Sequence, residues 1–331
     1  MRLENILALT HGRLVNEPFV KLFDNIVFDS KAIKRGDLFI AFDESMIEDA
    51  IFNGAYGVMF DKPTQITDNE IAWIKVSSCE DSLKKILRFI LVEKNIVVYK
   101  CNEIILKLSL QTITDQNFII INGELKSIYK QLLNLDSNST ILFSPALTDE
   151  TIFTNINEIP NITENKINLK EHTLFESSFI YENKFYERQQ LSPFFIPYLD
   201  RLLNLYKILK INFKLKKFIP ITNFEVNFIN NNFELKDFGS TDKALIFEKN
   251  NEFINSEIKY LKENANWAKI IYILPNSIEN ENDKNIYRYE NKNEIIKILK
   301  KNDFNFAFIV GSNNSLLNKP KAKLTQLTLD F

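Results

Sequence analysis

The stretch that decides the fold is residues 28–41, FDSKAIKRGDLFIA. It follows the short apolar run Ile26-Val27 and opens with the polar turn Asp29-Ser30-Lys31. Gly36 then introduces a compact apolar run over residues 37–42. Short apolar runs that are bounded by turn residues are typical of buried strands. This part of the chain therefore predicts a strand, a turn and a second strand.

The alternation of element types continues from this stretch to residue 94. Residues 47–53 have helical spacing and end at Gly54, a residue type that commonly follows the last turn of a helix. The next three segments predict two strands and an amphipathic helix, at 57–60, 72–76 and 82–92. Strands that alternate with helices indicate an α/β domain. We expect the first such domain to span residues 1–94.

A second part, residues 95–236, begins with the same alternation and then changes character. Its first elements are expected at 96–99, 103–110, 118–121, 127–135 and 141–143, in the order strand, helix, strand, helix, strand. Apolar residues then alternate between Phe175 and Phe185, which predicts antiparallel strands. A helix is expected over 195–211 and a hairpin over 223–236.

The last part, residues 237–331, returns to the α/β pattern. Strands are expected at 243–247, 268–274 and 304–310, with helices at 252–264 and 292–301. The sequence as a whole therefore predicts an α/β protein in three parts, with boundaries near residues 94 and 236.

Composition excludes several classes of function. Lys and Arg total 41 against 43 Asp and Glu, which gives a formal net charge of -2. The chain therefore lacks the overall positive charge expected of a protein that binds nucleic acid. Two cysteines and two histidines are too few for a disulfide framework or a His/Cys metal cluster. No stretch has the length of a membrane span and no secretory signal is evident, so a cytoplasmic location is expected.

The first ninety residues also resemble a known family. Asp29-Ser30-Lys31, then Gly36-Asp37-Leu38-Phe39 and the later segment 53–60 match in order and spacing the N-terminal domain of the Mur ligases. These ATP-dependent enzymes form amide bonds in peptidoglycan precursor synthesis. The chain is most similar to the type that adds D-alanyl-D-alanine. The resemblance implies an N-terminal UDP-binding domain, a shortened central ATPase-like domain and a small C-terminal Rossmann-like domain.

The phosphate-binding loop departs from the family pattern. Active members carry Gly-X-X-Gly-Lys-Thr/Ser after the first central strand, where bare backbone amides wrap the phosphates and the hydroxyl holds magnesium. Here the corresponding positions read Lys100-Cys101-Asn102-Glu103-Ile104-Ile105. A carboxylate and two isoleucines supply neither phosphate donors nor a magnesium ligand. We therefore expect a degenerate phosphate loop, no catalytic residues, no metal and no cofactor.

Two further segments that bind ligands in relatives also differ. Residues 247–251, FEKNN, stand where relatives have Asp-Ser-Tyr-Asn-Ala-Asn, and Asp43-Glu44-Ser45-Met46 replaces a Gly-X-X-X-Asp-Gly-His segment. The glutamate and lysine that support magnesium and the acyl-phosphate have no counterpart.

Candidate ligand-binding residues remain at the N-terminal turn. The resemblance implies that Ser30 contacts a uridine and that Lys31 approaches a diphosphate, with Asp29 beside them. The alternative is that Asp29 and Ser30 only cap a turn through side-chain bonds to the backbone. Gly36 and Asp37 belong to the same UDP-like candidate set, or serve only the turn geometry.

Three functions follow from these observations. The first is a silent Mur ligase relative that binds a UDP-muramoyl precursor or a Mur enzyme with little ATP turnover. The second is an active amide ligase with a rebuilt nucleotide site. The third is a scaffold that binds another cell-wall protein and no small molecule.

Overall fold

The computed structural model describes residues 1–161, 165–278 and 284–317. The chain forms two compact units. The first comprises Met1–Pro160 and Leu209–Phe213, and the second comprises Asn161–Ile208 and Lys214–Phe331. The boundary near residue 160 falls inside the middle part expected from the sequence. The three-part division at residues 94 and 236 therefore stays a prediction.

The first unit begins with a five-stranded sheet in the order β1-β5-β4-β3-β2. Its strands are β1 Arg13–Leu14, β2 Ile26–Val27, β3 Leu38–Ile40, β4 Gly57–Phe60 and β5 Ala72–Lys75. Strands β2 to β5 run parallel, and β1 joins the edge antiparallel to β5. The accompanying helices are α1 Leu3–Thr10, α2 Ile47–Phe52 and α3 Cys79–Glu93. The strand, turn and strand predicted from residues 26–42 are confirmed.

A four-stranded parallel sheet completes the first unit, in the order β7-β8-β6-β9. Its strands are β6 Val97–Lys100, β7 Phe118–Ile121, β8 Thr140–Phe143 and β9 Ile156–Glu158, and its helices are α4 Glu103–Thr112 and α5 Leu125–Leu133. The strand β9 was missing from the sequence expectation. Its three residues alternate poorly and are mostly exposed, so the pattern offered little signal.

One hydrophobic core joins the two sheets of the first unit. Helix α3 packs against α1 on one side and α5 on the other. The buried residues of this core extend from Leu3 to Phe153. The ring of Phe28 contacts that of Tyr129 edge to face, with 5.2 Å between centroids. Two sheets that share a core in this way are expected to unfold together.

The second unit begins with a three-stranded antiparallel sheet, β10-β11-β12. Its strands are β10 Asn168–His172, β11 Ser177–Tyr181 and β12 Lys184–Gln189, and the helix α6 Ile196–Leu209 follows them. Antiparallel strands and a following helix were both predicted here. The buried carboxylate of Asp200 on α6 accepts hydrogen bonds from the backbone N–H of Lys166, at 2.9 and 3.0 Å.

A five-stranded sheet completes the second unit, in the order β13-β14-β17-β15-β16. Its strands are β13 Glu225–Ile229, β14 Lys243–Glu248, β15 Ile270–Pro275, β16 Ile286–Tyr289 and β17 Phe306–Val310. All pairs except β13 with β14 are parallel. The helices are α7 Ile254–Asn264 and α8 Lys292–Lys301. The α/β class is confirmed, whereas strand β16 had not been anticipated.

The two long helices of the N-terminal part differ from the sequence expectation. Helix α3 begins at Cys79 rather than residue 82, because the Ser78 hydroxyl accepts a bond from the Asp81 N–H and caps an earlier turn. Helix α1, Leu3–Thr10, was not predicted from the sequence. Across the described ranges, no helix is long and apolar enough to cross a membrane.

The shared core of the first unit generates a stability prediction. Leu132 on α5 is fully buried, whereas the adjacent Leu133 is 39% exposed. We expect Leu132→Ala to lower the free energy of unfolding by about 2–5 kcal/mol, because it leaves a cavity. The control Leu133→Ala should change it by less than about 0.5 kcal/mol.

The measurement is urea unfolding followed by the fluorescence of Trp73, which lies buried in strand β5. Both variants carry Trp267→Phe so that only Trp73 reports. If Leu132→Ala left the Trp73 transition unchanged while another probe showed loss of structure around α5, the two sheets would not form one cooperative core.

Candidate functional site

The N-terminal turn is built from its own side chains. Asp29 accepts a bond from the Lys31 N–H at 3.0 Å and so starts the short 3-10 helix Ser30–Ala32. Ser30 is buried, and its carbonyl accepts a bond from Nδ2 of Asn53 at 3.0 Å. Asp29 and Lys31 are both exposed. The turn therefore presents one carboxylate and one ammonium to solvent beside a serine that is largely enclosed.

Gly36 and Asp37 have structural roles in the same segment. Gly36 has a φ of +102°, and a Cβ at this position would lie 2.4 Å from Oδ2 of Asp24. The buried carboxylate of Asp37 accepts bonds from the Lys34 N–H at 2.8 Å and from Nδ2 of Asn25 at 3.0 Å. These contacts fix the approach of β2 and β3. A ligand role for either residue stays a prediction.

The phosphate-loop position is short and tightly packed. Only Cys101 and Asn102 separate β6 from α4. The side-chain oxygen of Asn102 accepts a bond from the Ile105 N–H at 2.9 Å and caps the helix. Ile104 and Ile105 are fully buried. A phosphate cradle needs a longer loop with free backbone amides, and here one of those amides is already occupied.

The charged groups around this connection are paired with one another. Lys100 lies 3.0 Å from a carboxylate oxygen of Glu158 and 3.8 Å from one of Glu150. The hydrogen bond that the Lys100 ammonium donates to Glu158, more than any other contact, raises the pKa of Lys100. Glu103 pairs with Lys107 one turn along α4, at 2.5 Å. Lys100, at the end of β6, is thus held by Glu158 on strand β9 and by Glu150, which precedes that strand.

A second carboxylate site lies at the carboxyl end of β14. Glu248 is fully buried and accepts bonds from the backbone N–H of Phe224 at 2.9 Å and of Asn250 at 2.6 Å, with Nδ2 of Asn223 at 3.3 Å. Helix α7 places Glu257 nearby, also fully buried. Burial, followed by the charge of Glu248, raises the pKa of Glu257 well above its ordinary value. Burial beside Glu248 thus favours the protonated form of Glu257.

A cavity of about 740 Å³ in the second unit was not anticipated from the sequence. Its walls include His172 and Phe175 together with Trp267 and Phe306, which no sequence pattern connects. The lining residues come from six separated segments of the chain, and they meet only when the second unit folds. No local motif could have revealed them. In the described part of the chain, no group of three or more His, Cys, Asp or Glu is arranged to hold a metal ion.

The architecture defines the class of protein. Parallel sheets joined by helices place the chain among the α/β proteins. No family model and no curated protein matches the sequence. Solved structures do match. The MurF ligase of Thermotoga maritima, crystallised with ADP, is 13% identical with a TM-score of 0.52, over 88% of this chain and 94% of that one. A MurF structure from Acinetobacter baumannii is 9% identical with a TM-score of 0.54, over 95% and 97%.

These likenesses identify the fold. The chain has the fold of the Mur ligases, and the resemblance found in its first ninety residues is confirmed at that level. At such identities the likeness shows the architecture and not the chemistry. Ligand binding by this chain has to be inferred from its own side chains.

The cap at the phosphate-loop position generates a prediction. We expect Asn102→Ala to lower the free energy of unfolding by about 1 kcal/mol, since it leaves the Ile105 N–H without its acceptor. Asn102→Ser, which keeps a capping oxygen, should lose only a few tenths of that value. Chemical unfolding of the three proteins measures the difference. Equal stability of the native protein and Asn102→Ala would show that the cap is dispensable.

The buried Glu257 generates a pH prediction. In the unfolded chain this carboxyl titrates near its ordinary value of 4.5, whereas in the folded protein its pKa is raised. The stability that this raised pKa contributes is present at pH 4 and is lost as the pH rises through the folded pKa. The slope is at most about 1.4 kcal/mol per pH unit. Glu257→Gln removes the titrating carboxyl. The free energy of unfolding of this variant, relative to that of the native protein, should therefore increase steadily above pH 5.

The measurement is urea unfolding between pH 4 and pH 9. Glu263→Gln, an exposed change on the same helix, is the control and should follow the native profile. If the free energy of unfolding changed with pH in parallel for the native protein and Glu257→Gln, the pKa of Glu257 would not be raised in the folded state.

Proposed function

We propose that this chain is a non-hydrolysing member of the Mur ligase fold that works in or beside peptidoglycan precursor synthesis. The observation that carries the proposal is the two-residue connection between β6 and α4, capped by Asn102 and lined by buried isoleucines. ATP turnover at this position would require a loop that wraps phosphates. The chain has no space for one there without unfolding the start of α4.

With ATP turnover set aside, recognition of a UDP-muramoyl precursor is the function that we infer for this fold. Related structures are named as MurF ligases and one was crystallised with ADP. In this chain, Lys31 is exposed on the N-terminal turn and Ser30 lies beneath it. An exposed ammonium next to a hydroxyl suits the diphosphate and base of a UDP-sugar. A Mur enzyme that handles the same precursor is a natural partner for such a protein.

Thermal unfolding in the presence of ligands tests the proposal. UDP-N-acetylmuramoyl peptides should raise the melting temperature, because a ligand at about 100 times its dissociation constant stabilises by about 2.7 kcal/mol. ATP with magnesium should give no shift. Lys31→Ala should abolish the muramoyl shift, whereas Lys75→Ala, an exposed lysine at the end of β5, should leave it intact.

Each other outcome contradicts part of the proposal. A shift with ATP would indicate a rebuilt nucleotide site and an active ligase, to be followed by phosphate-release assays with amino-acid and dipeptide acceptors. No shift with the muramoyl peptides at millimolar concentration would remove precursor binding. The fold would then serve as a scaffold for another cell-wall protein.

A further inference from the structure

The cavity of the second unit lies away from the sheet edge at which this type of fold usually binds ligands. Asp242 precedes strand β14 and Phe306 begins strand β17, so both lie at the amino ends of parallel strands. Open α/β sheets normally hold ligands at the carboxyl ends. The cavity volume of about 740 Å³ is nevertheless typical of small-molecule sites.

Five aromatic rings form a continuous row along the cavity. Trp267 contacts Phe306 with 5.7 Å between centroids, and Phe306 contacts Phe175 at 5.6 Å. Phe175 contacts Phe228 at 6.0 Å, and Phe228 contacts Phe238 at 5.1 Å. All four contacts are edge to face. Such contacts hold the rings in fixed orientations and leave ring faces available to a ligand.

The exposure of the rings shows which part of the row is open. Phe175, Phe228 and Phe306 are at most 8% exposed and form a floor. Trp267 is 70% exposed and Phe238 is 40% exposed, at the two ends of the row. The two end rings therefore stand on either side of a closed apolar floor.

The charged side chains around the rings favour a cation. Two carboxylates, Glu176 and Asp242, and one guanidinium, Arg188, line the cavity. The formal charges of these three side chains leave one net negative charge. The faces of aromatic rings are also electron-rich and attract cations. Both features disfavour a simple anion and complement a positively charged ligand.

We propose that this cavity binds an organic cation, an amine or quaternary ammonium that carries an apolar body. The cationic group lies against the exposed ring at one end of the row, Trp267 or Phe238, with Glu176 and Asp242 supplying opposite charge. The apolar body covers the buried floor. The inference uses only residues of the second unit, so it stands or falls independently of UDP-muramoyl recognition.

Trp267 supplies a direct readout. The other tryptophan, Trp73, is fully buried in the first unit, so a fluorescence change on adding a cavity ligand reports on Trp267. The probe is benzyltrimethylammonium, compared with benzyl alcohol and benzenesulfonate, which share the ring but are neutral and anionic. We expect a saturable change with the cation, and binding weaker by about tenfold or more for the other two.

Substitutions that keep Trp267 as the reporter separate charge from shape. The double variant Glu176→Gln with Asp242→Asn should weaken binding of the cation at least about fivefold and leave binding of benzyl alcohol unchanged. Phe238→Ala should weaken binding of both probes. Phe52→Ala, which removes a 90% exposed ring in the first unit, is the control and should change neither.

Four results would overturn the proposal. Equal affinity for all three probes would mean that the cavity selects only for apolar rings. Tighter binding of benzenesulfonate would assign the cavity to anions, through Arg188. No saturable fluorescence change with benzyltrimethylammonium up to tens of millimolar, or an unchanged affinity in the double carboxylate variant, would remove the cation site altogether.

Discussion

Burial of the first turn of α4 is the constraint on which the functional conclusions depend. Ile104 and Ile105 occupy that turn and are fully buried, so the helix is held against its sheet from its first residues. In a phosphate-binding loop the same positions carry side chains that face a ligand. A turn that is part of the core cannot also open around phosphates. Around this turn, Asn102 caps the helix and Lys100 pairs with Glu158.

The motif that reveals the fold in the sequence is retained for structural reasons. Gly36 adopts a φ of +102° against Asp24, and Asp37 ties the Lys34 amide to the side chain of Asn25. These requirements belong to the turn between β2 and β3 and exist without any ligand. The segment is therefore strong evidence for the architecture and weak evidence for UDP binding. Information about ligands lies in the exposed neighbours Asp29 and Lys31.

Elements with a regular apolar pattern could be predicted from the sequence, and elements defined by tertiary contacts could not. Strand β7 and helix α8 lie where periodicity placed them, because each buries one consistent set of apolar side chains. Strand β9 has mostly exposed residues and is held by its parallel pairing with β6. The phosphate-loop change was readable because the substituted residues are adjacent in sequence. The aromatic cavity was not, because its rings lie between residues 175 and 306.

Polar groups at two positions near the sheet ends are satisfied within the chain itself. A phosphate-binding loop leaves backbone amides unpaired until the ligand arrives, and that arrangement costs stability in the free protein. Here the Ile105 amide is bonded to Asn102, and the Glu248 carboxylate at the end of β14 is bonded to backbone amides of Phe224 and Asn250. These two groups are thus satisfied by the chain itself. Selection for stability alone would maintain such contacts, and any remaining ligand recognition must then come from groups outside them, such as the exposed Lys31 and Trp267.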